Sequence, residues 1–217
     1  SHNADEKFDG IDIDSASGVS VTNYGVISGG RHGITTDLGA TLINYGQITG
    51  RNGSGFGSDG DGTVINHGTI TGAYSGLQAN GDGDGVDIDK IAHIENYGTI
   101  QGVGAGGVDK GGFANGSEGI ALGGGYILNA SNALISGADS AILVDDGSGG
   151  SGLAATTLEN FGTIQGLNGF GVKLVGEFAD NVINGGTISG SGVLSNARPI
   201  TLSGTVSPGN GDGGTCD

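Results

Sequence analysis

One nine-residue pattern, repeated seven times, constrains this 217-residue chain more than any other feature in it. It runs apolar, any, Asn, aromatic, Gly, any, Ile, any, Gly. The copies are VTNYGVISG from Val21, LINYGQITG from Leu42, VINHGTITG from Val64, IENYGTIQG from Ile94, LENFGTIQG from Leu158 and VINGGTISG from Val182. A degenerate copy, ILNASNALISG from Ile127, carries two extra residues in its middle. The motif asparagines, Asn23, Asn44, Asn66, Asn96, Asn129, Asn160 and Asn184, are spaced by 21, 22, 30, 33, 31 and 24 residues, and the shortest spacings give the basic unit. Self-similarity at such a period is the mark of a stacked-repeat architecture.

Residues before each Asn alternate apolar and variable, and those after the Gly do so again, which predicts two period-two strands joined at a corner. Asn and Gly tolerate positive φ, so the corner is expected to turn the chain there. A third apolar group precedes most copies: GIDID from Gly10, GITTD from Gly33, GVDID from Gly85, GIALG from Gly119, AILVD from Ala141 and GVKLV from Gly171. Units that repeat in phase, without two-residue hairpin turns, wind as coils that stack strand on strand at about 4.8 Å. The predicted fold is all-β: a right-handed parallel β-helix of about seven coils of three short strands, with Gly- and Asp-rich loop insertions, forming one unit over 1–217. The hand follows from the general rule for parallel crossovers.

Stacking assigns the repeated positions. Ile27, Ile48, Ile70, Ile100, Ile164 and Ile188 form an internal column, and the apolar residues two before each Asn form another. Side-chain amides both donate and accept, so Asn23, Asn44, Asn66, Asn96, Asn160 and Asn184 are expected to satisfy one another as a structural ladder. Tyr24, Tyr45, His67, Tyr97 and Phe161 are expected to stack as a column of rings, with an exposed sugar-binding stripe as the functional alternative. The stretches RNGSGFGSDGDG from Arg51, ANGDGDG from Ala79, VGAGGVDKGGFANGSEG from Val103 and DDGSGGSGLAA from Asp145 read as loops leaving the rod, where a specific function would reside. Thr49, Thr69, Thr71, Thr99, Thr163 and Thr187 suggest an ice-binding face, but Ser and Gln break the columns.

Composition fits this reading and excludes others. Fifty-one Gly without a Gly-X-Y period would indicate disorder, were 35% of the chain not apolar and grouped regularly. A net charge of -16 repels nucleic acid and anionic membrane surfaces. Cys216 is alone and forms no internal disulfide. No apolar run is long enough for a membrane helix, so no membrane insertion by this segment is expected. Residues 1–3 read as an expression scar or as disordered, and the whole as an excised piece whose export signal lies elsewhere.

Catalytic signatures are missing. The G-x-G-x-x-G matches at Gly55, Gly102, Gly147 and Gly209 are at chance level for so much glycine. His2, His32, His67 and His93 belong to no recognisable triad or zinc set, so no enzyme is expected, although plentiful carboxylates leave a paired-acid glycosidase open. For a metal, NGDGDGVDID from Asn80 could offer the oxygens of Asp82, Asp84, Asp87 and Asp89 to calcium. It lacks the closing glutamate of an EF-hand loop and occurs once. No other cofactor is called for.

The N-[YFH]-G-x-I-x-G corner, repeated along nearly the whole chain, resembles the passenger domains of Gram-negative autotransporters, the type V secreted adhesins built as β-helices. LSGTVSPGNGDGG from Leu202 is similar to the G-x-[VL]-S-P-G-N segment found toward the C-terminal part of such passengers, here cut short over 202–217. The resemblance implies display at the cell surface or secretion, on the extracellular side of the outer membrane. It implies a role in cell adhesion, autoaggregation or biofilm formation, with other cells, host surfaces, glycans or further copies of the chain as partners. A carbohydrate-active β-helix, such as a polysaccharide lyase, hydrolase or tailspike piece, and a calcium-stabilised surface module are the alternatives.

Overall fold

The apolar groups and the repeat become strands that stack coil upon coil. A computed structural model describes residues 8–76, 80–108, 112, 114–145, 152–191 and 205–208. The first coil consists of Ile11–Ile13, Val19–Asn23 and Val26–Gly29, the second of Ile34–Thr36, Ala40–Asn44 and Gln47–Gly50, and the third of Phe56–Ser58, Gly62–Asn66 and Thr69–Gly72. In the fourth and fifth, the first two strands fuse into Val86–Asn96 and Ile120–Asn129, followed by Thr99–Gly102 and Leu134–Gly137. The sixth is Ile142–Val144, Thr156–Asn160 and Thr163–Gly166, and the seventh Val172–Leu174, Asn181–Asn184 and Thr187–Gly190. Each strand pairs in parallel with its counterparts in the neighbouring coils, producing three faces. This is the all-β parallel β-helix of seven coils read from the repeat. Thr205–Pro208, within the SPGN-type segment, adds a further parallel strand to the third face beside Thr187–Gly190. Among the described residues, only the small pair Gly81–Asp82 and Ala105–Gly106 and two isolated bridges run antiparallel.

Alternation places one apolar set inside from every face. Ile34, Phe56, Val86, Ile120, Ile142 and Val172 stack from the first face, Leu42, Val64, Ile94, Ile127, Leu158 and Val182 from the second, and Ile48, Ile70, Ile100, Ile135, Ile164 and Ile188 from the third; all are buried. Ile27, in the end coil, is only partly covered. Ile135 joins the isoleucine column because the two extra residues of the degenerate copy are absorbed in a turn. Ala133 N–H donates to the Ala130 carbonyl at 3.0 Å, Asn132 takes φ 66°, and register resumes at Thr99↔Leu134 and Ile100↔Ile135.

Two expectations from sequence need correction. The stretch from Arg51 is not an excursion from the rod, because Phe56–Ser58 within it is the first-face strand of the third coil and Phe56 is fully buried. Nor do the corner glycines turn by positive φ, since Gly25, Gly46, Gly68, Gly98, Gly162 and Gly186 all lie outside that region. Their role is proximity. A Cβ on Gly46, Gly68, Gly98 or Gly186 would lie well inside 3.0 Å of a carbonyl oxygen of the preceding coil, whereas one on Gly25, in the first coil, would meet nothing within 4 Å. Glycine is needed there because coils stack at strand spacing with backbone facing backbone.

Candidate functional site

The motif asparagines sit at the corner between the second and third faces, six of the seven with no exposure and Asn23 at 6%. Each Nδ2 donates to the Oδ1 of the next coil's Asn: Asn23 to Asn44 at 2.8 Å, Asn44 to Asn66, Asn66 to Asn96 and Asn96 to Asn129 at 2.9 Å, Asn129 to Asn160 at 2.8 Å and Asn160 to Asn184 at 2.7 Å. The Oδ1 of all but Asn129 also accepts the N–H of the glycine two residues on, as Asn66 does from Gly68 at 3.2 Å. The ladder therefore satisfies the corner backbone and has no capacity aimed at solvent.

Beside it, Tyr24, Tyr45, His67 and Tyr97 stack with centroids 4.8 to 5.1 Å apart and planes within 8°. Phe161 does not continue this column. The fifth coil puts Ala130 and its four-residue turn in the ring position, and Tyr97 is no more exposed (42%) than the doubly stacked Tyr45 (48%). On the adjoining second face, Glu95 accepts hydrogen bonds from His93 Nε2 at 3.0 Å and from Tyr97 Oη at 2.8 Å, and these hold its carboxyl below the usual range. His93 stacks on Tyr126 at 5.1 Å.

An acidic cleft lies at the corner between the third and first faces. It measures about 860 Å³ and is lined by Asp82, Asp84, Asp87, Asp89, Glu118, Asp139 and Asp145, with Lys173 and Asn168 on its wall. The four aspartates proposed for calcium thus line one space, yet they do not form a cage. Asp82 and Asp89 are exposed, Asp87 is half-buried, and Asp84 is buried and committed elsewhere, its Oδ1 accepting the Glu118 N–H at 2.7 Å. Among the described residues, no group of three or more His, Cys, Asp or Glu side chains could hold a metal ion.

Asp84 and Glu118 come from adjacent coils, joined by the Glu118 N–H on Asp84 Oδ1, and the carboxyl groups of both are raised. Burial, and then the charge of Glu118, pushes Asp84 well above the ordinary carboxylate range. Burial pushes Glu118 up to about 7. Asp87 is raised by burial and by Asp84 and Asp89, while Asp145 is raised by burial against the opposing pull of Lys173.

This pair belongs to a column that the sequence did not disclose. In four of the seven coils the residue two before the first-face strand lends its side chain to the backbone of the next coil. Asp9 Oδ1 accepts the His32 N–H at 3.0 Å, His32 Nδ1 accepts the Ser54 N–H at 2.9 Å, Asp84 serves Glu118, and Ser140 Oγ accepts the Phe170 N–H at 3.2 Å. Burial lowers the His32 pKa and keeps it an acceptor. The available signal was position, since every one of these residues precedes a Gly or Ala that opens an apolar triplet. Against protein-family models, characterised proteins and solved structures, the chain matches none.

Proposed function

We propose that this chain is a structural and adhesive rod of the autotransporter-passenger kind, displayed on or released from a cell surface, and that it is not an enzyme. The observation carrying this reading is that the recurring polar side chains are used on the stack itself. The Asn ladder and the corner column bind coil to coil, leaving a stiff body with long flat faces for contact. The strand at Thr205–Pro208, from the segment that resembles the passenger SPGN motif, adds support by extending the third face in register. The partners are other cells, host surfaces, glycans or further copies of the chain. The test coats inert beads with the chain and measures their attachment to bacterial and epithelial cells and to one another. Attachment or clustering above beads carrying an unrelated acidic protein is expected, and neither occurring would end the reading.

The acid pair favours one rival, a carbohydrate-active cleft. Glycosidases place their two carboxyls about 5 to 9.5 Å apart to flank a sugar bond. Asp84 is instead buried, with its Oδ1 taken up by the Glu118 backbone N–H at 2.7 Å, which leaves it committed to the stack rather than to a substrate. Release of reducing ends from a panel of neutral and acidic polysaccharides would restore the rival.

A further inference from the structure

We propose that the third face is a self-recognition surface on which a second copy of this chain docks face to face; the inference names a partner within the adhesive reading and rests on it. The seven repeat strands of this face read VISG, QITG, TITG, TIQG, LISG, TIQG and TISG, and none contains a charged residue, in a chain of net charge -16. Their Ile and final Gly point inward. The outward positions, brought into columns by the register, are Thr, Ser and Gln apart from Val26 and Leu134.

Strand geometry does not impose this neutrality. Equivalent outward positions on the first face hold Asp12, Asp87 and Lys173, and on the second Glu95 and Glu159. The two rims of the third face differ: beside the corner carboxylate Asp9 and, in later coils, the acidic cleft, the rim shared with the first face also holds arginines. One carries the tyrosine column, and the other carries Arg31 and Arg51, the latter donating from Nη1 to Ser28 Oγ at 2.9 Å.

Charge therefore selects both the face and the partner. Two copies meeting on the first or second face would press carboxylates against carboxylates, which is strongly disfavoured. On the third face they have none to bury. Thr, Ser and Gln each donate and accept, so the surface is complementary to itself, as a two-fold contact between identical patches requires. Seven strands at about 4.8 Å, each about 13 Å long, give on the order of 400 Å² per copy. That is roughly half the 800 Å² per partner of a stable complex. A single pair is accordingly weak, and many rods displayed together gain strength through multivalency.

The test couples the chain to beads at high density and scores clustering by light scattering. Beads with the unaltered chain should cluster, and Thr49→Asp with Gln101→Asp, both outward on the third face, should reduce clustering at least tenfold. Thr41→Asp with Thr157→Asp adds the same charge on the second face and should cluster as the unaltered chain does. Circular dichroism melts establish that both variants are folded. Equal clustering by the third-face variant, or equal loss in both variants, overturns the inference. Clustering that requires an added neutral polysaccharide also overturns it, in favour of a glycan. Beads that attach to cells without clustering leave the adhesive reading standing and remove this partner, whereas beads that do neither remove both.

Discussion

Replacing Glu118 by Gln should reduce a loss of stability that the unaltered protein suffers between mildly acidic and mildly alkaline pH. In the folded chain, burial raises the Glu118 carboxyl from 4.5 to about 7. Between those values the folded state holds a proton that the unfolded state has released, so unfolding becomes easier as pH rises. The stability is complete below the unfolded value and lost as pH passes through the folded one. A displacement of that size corresponds to about 3 kcal/mol, or roughly 6 to 12 °C in Tm for a chain of this length. Gln keeps the shape and can donate to Asp84, but it has no proton to lose. The assay is urea unfolding, followed by far-ultraviolet circular dichroism, at about pH 5 and about pH 8.5. General repulsion in an acidic protein acts on both chains alike, so the difference between them isolates the pair. A flat profile for the unaltered chain, or an equal fall in the Gln variant, would refute the assignment.

Other outcomes follow from single positions. Gly68→Ala should cost about 2 kcal/mol or more, because its Cβ would fall against the Gly46 carbonyl, while Gly25→Ala should be neutral or gain up to about 1 kcal/mol; denaturant midpoints decide. Asn66→Asp should destabilise by about 3 kcal/mol or more, since a buried carboxylate would replace the donor to Asn96 Oδ1, and a melt that matches the unaltered chain would falsify the ladder's energetic role. Tyr45→Ala should cost about 1 to 2 kcal/mol by removing two ring stacks, and His67→Tyr should leave Tm unchanged or raised. Calcium and chelator should give the same melting temperature, because Asp84 is already engaged by Glu118.

The parts of this molecule that could be read from sequence are those where stacking demands the same residue type in every coil. Inward Ile follows from the narrow core, and Asn follows from an amide that must both give and receive, so each repeats visibly. Where several residue types satisfy one physical demand, the pattern disappears. The corner column needs only a side-chain acceptor for the next coil's N–H, and Asp9, His32, Asp84 and Ser140 all supply one. Their shared role is invisible in composition, and the buried pair of Asp84 with Glu118 was read as calcium-binding loop and insertion. The strand at Phe56 was hidden for a related reason. Ser58 stands where most other coils carry Ile, Leu or Val, and glycines flank the Phe, so the triplet resembles a loop although Phe56 fills the core.

Glycine shows how one residue can be assigned correctly for the wrong cause. The corner Gly was expected from turn chemistry, a property of a single coil, yet its φ is unexceptional and its necessity comes from the coil beneath. The distinction has a measurable edge. A turn requirement would apply equally to every copy, including Gly25, whereas a stacking requirement exempts the copy that has no coil against its Cβ side. Outward residues lie beyond both demands, because neither turn nor stack specifies them. Their chemistry on each face, carboxylates on two and none on the third, is therefore where the chain's contacts with other molecules should be sought.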